Sequence, residues 1–144
     1  MTGPVCLDSS IVVKIVTPEN GSSAASVLAQ DATALYAPPF AWAEVGSTLR
    51  KKVRLGFLDD RTAEQAWEAF GALGVIFVHS EAIKRRAWDI ATDFVLPTLY
   101  DAGFLAVAEL APGGPMPFWT ADYAFVERLA GLHPLVHALP SETP

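Results

Sequence analysis

Apolar positions along the chain fall into short β-rich runs separated by longer stretches with helical spacing, a pattern that predicts strands and helices in alternation. The first run, Val5-Cys6-Leu7, meets Asp8-Ser9-Ser10 and then Ile11 to Val16. It predicts a buried strand whose carboxyl end opens into a short helix. Thr17-Pro18-Glu19-Asn20-Gly21 breaks the pattern, and Ser22 to Gln30 predicts a second helix. Ala34-Leu35-Tyr36-Ala37 predicts a short strand, turned by Pro38-Pro39. From Phe40 to Val53 the period is helical: Trp42, Val45 and Leu49 share an apolar side, while Glu44 and Thr48 share another. Thr62 and Gln65 have the spacing of a capping box, and a helix through Phe70 follows.

Val75-Ile76-Phe77-Val78 is apolar throughout and predicts a third strand covered on both faces. A helix from Ser80-Glu81 to about Phe94 follows, then a loop over Leu96-Pro97-Thr98-Leu99-Tyr100, where Pro97 disfavours helix at its predecessor. Asp101 immediately precedes an apolar helix, Ala102 to Ala111. Met116 to Trp119 predicts a fourth strand ending at Thr120-Ala121-Asp122, Tyr123 to Ala130 another helix, and Leu135 to Leu139 the last strand. This order predicts one α/β domain over residues 1–144, a parallel sheet with helices on both faces and a polar tail from about 140 to 144.

Composition sharpens the picture. Hydrophobic residues make up 51% of the 144 and charged residues 18%, which predicts an ordered globule. Four Trp and eight Phe exceed what so small a chain hides easily, so an apolar interface with a second copy or a partner is expected. The formal net charge of -6 removes a basic whole-protein field as an argument for nucleic-acid binding, leaving that case to local clusters. The single cysteine, Cys6, excludes an intramolecular disulfide and fits a reducing compartment. With no leader pattern and no apolar segment of membrane-spanning length, a cytoplasmic protein without membrane contact is expected.

Four acids stand out: Asp8 after the first strand, Glu44 within a helix, Asp101 opening an apolar helix and Asp122 after the fourth strand. In open parallel sheets, ligands bind beyond the carboxyl ends of strands, where such acids would lie. Each has a plainer reading: Asp8, Asp101 and Asp122 as helix caps, Glu44 as a solvated helix residue. Glu44 sits in a largely apolar stretch, where an idle acid is less expected.

Leu7-Asp8-Ser9-Ser10, Ala43-Glu44-Val45 after Pro38-Pro39, Tyr100-Asp101-Ala102 and Phe118-Trp119-Thr120-Ala121-Asp122, in this order and at this length, closely resemble the PIN domain family of metal-dependent ribonucleases. Within that family the chain is most similar to the short VapC-type toxins of toxin-antitoxin pairs. The resemblance covers nearly the whole chain. It implies a PIN-like three-layer α/β/α domain with a central five-stranded parallel sheet, the N-terminal strand at its centre and the four acids brought together. It further implies Asp8 and Asp101 as the strongest metal ligands, with Glu44 and Asp122 acting directly or through water. An RNA substrate, a VapB-like antitoxin covering the acidic pocket and a neighbouring hydrophobic groove, and a homodimer complete the implied picture.

Two carboxylates about 4 Å apart repel by roughly 4 kcal/mol at an effective dielectric near 20. Such a cluster must take up protons or a divalent cation. Oxygen donors without a Cys or His cluster favour Mg²⁺ or Mn²⁺ over Zn²⁺. His79, His133 and His137 form no ligand motif. Ser9 and Thr120 read as hydrogen-bond partners of the acids or of phosphate, or as caps. Lys14, Arg50, Lys51, Lys52 and Arg54 are candidate phosphate contacts, with Arg128 and the Lys84-Arg85-Arg86 group as further ones; solvated helix faces are the alternative. Competing functions are a non-catalytic PIN-like domain that binds RNA or protein and, fitting less well, a phosphoreceiver domain modified on Asp8.

Overall fold

The computed structural model describes residues 2–129 and 131–141. Among the described residues five strands are joined by one or two helices each, seven in all: β1 (Val5–Leu7), α1 (Ser9–Val16), α2 (Ser22–Asp31), β2 (Leu35–Ala37), α3 (Ala41–Arg54), α4 (Asp60–Ala72), β3 (Ile76–Phe77), α5 (Glu81–Asp93), α6 (Tyr100–Leu110), β4 (Phe118–Thr120), α7 (Tyr123–Leu129) and β5 (Val136–Ala138). All strand pairs are parallel, in the order β3-β2-β1-β4-β5, so the N-terminal strand is central as expected. Between β1 and β4 the direction of winding reverses. A crevice opens beyond the carboxyl ends of strands at such a point, and Asp8 and Asp122 follow β1 and β4 closely.

β1 is buried along its length, and its alternation distributes side chains to two cores. Cys6 and its register partner Phe118 pack with Ile83, Ile90, Phe104 and Phe125 beneath α5, α6 and α7. Leu7 and its partner Trp119 pack on the other side with Ile11, Val12, Val45, Leu49 and Phe70 of α1, α3 and α4. These are the three layers predicted from the alternation of runs.

Three local expectations need correction. β3 is not covered on both faces: Ile76 and Phe77 are 45% and 41% exposed, because the strand lies at the edge and pairs only with β2. A continuous apolar run cannot distinguish a central strand from an edge strand. The capping box is absent; Asp59 accepts from the Thr62 amide at 2.7 Å, so α4 begins earlier, with Thr62 inside its first turn. Asp101 does not precede α6 but lies in its first turn, since the constraint from Pro97 falls on Leu96 and leaves Tyr100 free to start the helix. The expected end of the α7 segment at Ala130 and the end of the polar tail, 142–144, lie outside the described residues.

α5 ends in a Schellman motif: the Leu96 amide donates to Ala91 at 2.9 Å, the Val95 amide donates to Thr92, and Val95 takes φ +53°. A β-branched residue in the left-handed region costs about 1–2 kcal/mol, and Val95, 83% exposed, recovers little of this through packing. Val95→Gly is expected to stabilise the protein by about 1 kcal/mol, raising the melting temperature by about 2–4 °C. Thermal denaturation checks this, and a lower melting temperature would contradict it.

Candidate acidic active site

Asp8 stands at the N-cap position of α1 without capping it through its side chain. Its Oδ2 instead accepts from Ser10 Oγ and Thr120 Oγ1, both at 2.7 Å. Each hydroxyl is itself held by a main-chain amide, Ser10 by Ala121 at 3.1 Å and Thr120 by Asp122 at 3.0 Å. A hydroxyl carries a single hydrogen. With both hydrogens given to Asp8, Ser10 and Thr120 orient an acid across the β1–β4 switch point. Ser9 turns the other way and donates to Glu44 Oε1 at 2.8 Å, so adjacent serines serve different acids.

Glu44 lies in the first turn of α3 and Asp101 in that of α6. Burial raises the Asp8 carboxyl above its usual range, with its hydrogen bonds opposing the shift and Asp122 adding to it. Burial also raises Glu44, helped by the charge on Asp8. Asp101 is pushed up to about 6, first by burial and then by the charges of Asp8, Asp122 and Glu44, with Arg128 alone opposing. Asp101 thus feels the other three acids, and the four are electrostatically one group. Asp122 does cap a helix, its Oδ1 accepting from the Phe125 amide at 3.0 Å, so its capping and pocket readings coexist.

Among the described residues none of the four acids forms an ion pair. Nor do any three His, Cys, Asp or Glu among them stand close enough to hold a metal as they are. The donor chemistry nevertheless fits a hard divalent cation: carboxylate oxygens, raised affinities for positive charge and hydroxyls that orient the acids. Closing a coordination shell would require the acids to draw inward.

Sequence reasoning missed Ser10. Its signal was its place two residues after Asp8, in a Ser-Ser pair of which only the first was considered. Arg128 is within electrostatic reach of Asp101, whereas the other basic candidates make their contacts elsewhere. Lys14 and Lys52 both pair with Glu19, at 3.2 and 2.7 Å, and Arg50 pairs with Asp60 at 3.0 Å. Arg50, Lys51 and Arg54 line a groove of about 840 Å³ between α3 and α4, together with Trp42 and Trp67. Lys84, Arg85 and Arg86 pair with Glu81, Asp89 and Glu109. His133 is buried, its Nδ1 accepting from the Leu135 amide, and His137 stacks on Trp119.

Residues 5–113 match the PIN domain; Asp8, Glu44 and Asp101 lie inside that match, while Thr120 and Asp122 lie beyond it. The chain is 33% identical over 131 residues to Ribonuclease VapC3 of Pyrobaculum aerophilum, covering 88% of this chain and 95% of that protein. In fold it is similar to a toxin-antitoxin complex from Klebsiella pneumoniae, at TM-score 0.66 and 19% identity, covering 92% of this chain and 95% of that one. It is also similar to VapBC2 from Rickettsia felis bound to a promoter DNA fragment, at TM-score 0.64 and 12% identity, covering 95% and 99%. By both the domain match and the extent of its likeness to a ribonuclease, the chain belongs to the PIN domain family.

Proposed function

We propose that this chain is an endoribonuclease that hydrolyses RNA phosphodiester bonds with Mg²⁺ or Mn²⁺ at Asp8, Glu44, Asp101 and Asp122, and acts as the toxin of a VapBC-type pair in the cytoplasm. The observation that carries this reading is a set of carboxylates oriented by hydroxyls at the switch point of a PIN domain, Asp8 by Ser10 and Thr120 and Glu44 by Ser9. Asp8, Glu44, Asp101 and Asp122 would hold the divalent cation, which when bound would supply charge neutralisation for the phosphodiester and a lowered pKa for the attacking water. The chain's own residues hold the reacting groups. Ser10 and Thr120 set Asp8, Ser9 sets Glu44, and the α7 amide of Phe125 sets Asp122.

The α3–α4 groove suits the partner. Its exposed Trp42 and Trp67 offer apolar seats for aromatic or aliphatic anchors of an antitoxin peptide, and Lys51 and Arg54 offer contacts for its acidic residues beside Glu64 and the Arg50–Asp60 pair. On this reading Lys51 and Arg54 serve partner binding ahead of RNA, and the pairs made by Lys14, Lys52 and Arg50 leave those three to structure. A separate apolar area around Trp88, Leu99 and Tyr100, each exposed, suits a second copy of the chain. Sedimentation is expected to show a dimer that Trp88→Glu weakens; equal dimerisation by the variant would place the interface elsewhere.

Asp101→Asn preserves size while removing a charge. If about 3–4 kcal/mol of transition-state stabilisation is lost, cleavage falls by about a hundredfold to a thousandfold. Metal-free stability is expected to hold or rise, because repulsion is relieved. Cleavage assays on structured and unstructured RNA with Mg²⁺, Mn²⁺ and EDTA, beside thermal melts, test both halves. Full activity in the folded variant would favour the non-catalytic alternative for this residue.

The raised Asp101 carboxyl also gives a pH signature. Its folded-state pKa of about 6 lies above its ordinary value of 3.8, so its contribution to metal-free stability is fully present at low pH and is lost as pH rises through about 6. Between about pH 4 and 6 the metal-free melting temperature is expected to fall more, or rise less, in the native chain than in Asp101→Asn. Metal binding needs the ionised carboxylate, so the stabilisation added by Mg²⁺ grows over the same window. Parallel pH profiles for the two proteins would remove Asp101 as the origin.

A further inference from the structure

Three of the four acids are tied by hydrogen bonds: Asp8 to Ser10 and Thr120, Glu44 to Ser9, and Asp122 to the Phe125 amide. Among the described residues Asp101 has no such side-chain tie, so its place depends on where α6 itself is held. The first turn of that helix rests on Phe40. The Phe40 ring meets Tyr100 edge-on at 5.3 Å and 80°, and Phe104 at 5.6 Å and 87°. Tyr100 and Phe104 bracket Asp101 on α6. Phe40 is also the N-cap residue of α3, and its carbonyl accepts from the Glu44 amide at 3.2 Å. One aromatic residue therefore joins the turn carrying Glu44 to the turn carrying Asp101.

The ring fits because of Gly103. A Cβ there would stand 2.8 Å from Phe40 Cζ and 3.1 Å from Cε1, closer than packed atoms tolerate. Gly103 lies inside α6 and is buried. Glycine is the poorest helix former after proline, and its backbone φ is not in the left-handed region. Space for the Phe40 ring is the physical reason for a glycine here.

We propose that Phe40, seated in the notch left by Gly103, is a positioning residue that sets the separation of Glu44 and Asp101 and thereby the affinity of the acidic cluster for a divalent cation. The assignment rests on the metal-centre reading given above. Adding a methyl at Gly103 displaces the Phe40 ring, and with it the contact that joins the turn carrying Glu44 to the turn carrying Asp101. Shortening Phe40 to Leu removes the atoms that the methyl would meet, and with them the edge contacts that hold the two turns together.

The test is a double-mutant cycle read by Mn²⁺ binding, measured from the electron paramagnetic resonance signal of the free ion, with RNA cleavage and thermal melting alongside. Gly103→Ala is expected to weaken Mn²⁺ binding by about tenfold, lowering kcat with little change in KM for RNA, and Phe40→Leu to weaken binding in the same direction. In the Phe40→Leu background, adding Gly103→Ala is expected to cause no further loss. Equal losses from Gly103→Ala in both backgrounds, or folded single variants that bind Mn²⁺ like the native chain, would overturn the assignment while leaving the metal centre intact. A native chain that takes up no Mn²⁺ would overturn the metal-centre reading and this assignment together. Should Gly103→Ala not fold, Phe40→Leu decides alone: weakened binding supports the positioning role and native binding ends it.

Discussion

Burial of carboxylates beside one another is the constraint on which the rest of this structure depends. Asp8, Glu44, Asp101 and Asp122 come from four separate stretches of chain, and folding withdraws them from water and brings their charges within reach of one another, raising the proton affinities of Asp8, Glu44 and Asp101 first through burial and then through repulsion. Among the described residues no lysine or arginine forms an ion pair with them, and only the charge of Arg128 opposes the shift at Asp101. The stabilisation that offsets this burial comes from the two hydrophobic cores flanking β1, which hold the helix starts at one edge of the sheet. A site built this way stays short of positive charge until a cation supplies it.

Hydroxyl groups convert that crowding into geometry. Ser10 and Thr120 each take a backbone hydrogen and give their own to Asp8, so Asp8 is aimed without being neutralised. A lysine in their place would have lowered the local repulsion and competed with a cation. The same economy appears in the basic residues, six of the ten of which are engaged by Glu19, Asp60, Glu81, Asp89 and Glu109 rather than by the four acids. A net charge of -6 is compatible with phosphodiester chemistry when the metal, rather than a basic surface, meets the phosphate.

Periodicity and punctuation along the chain determined a great deal. The alternation of β-rich and helical runs set the order of twelve elements and the layered architecture, because side-chain spacing reflects which face an element buries. The four acids, placed just beyond or just inside predicted elements, marked the site, and the motifs around them carried the resemblance to PIN domains. These are local signals, readable wherever a residue's role follows from its immediate neighbours.

Only the tertiary structure decided matters that depend on residues far apart in the chain. It placed β3 at an edge, where an apolar run is half exposed. It assigned Ser9 to Glu44 and Ser10 to Asp8, and brought Thr120 to Asp8 across 112 residues. It withdrew Lys14 and Lys52 to a shared partner, Glu19, which no helical spacing could have revealed. The physical reason is that crossovers between parallel strands, not sequence distance, determine which side chains meet at the sheet's edge. A hydroxyl or an ammonium takes the nearest partner that the completed packing offers.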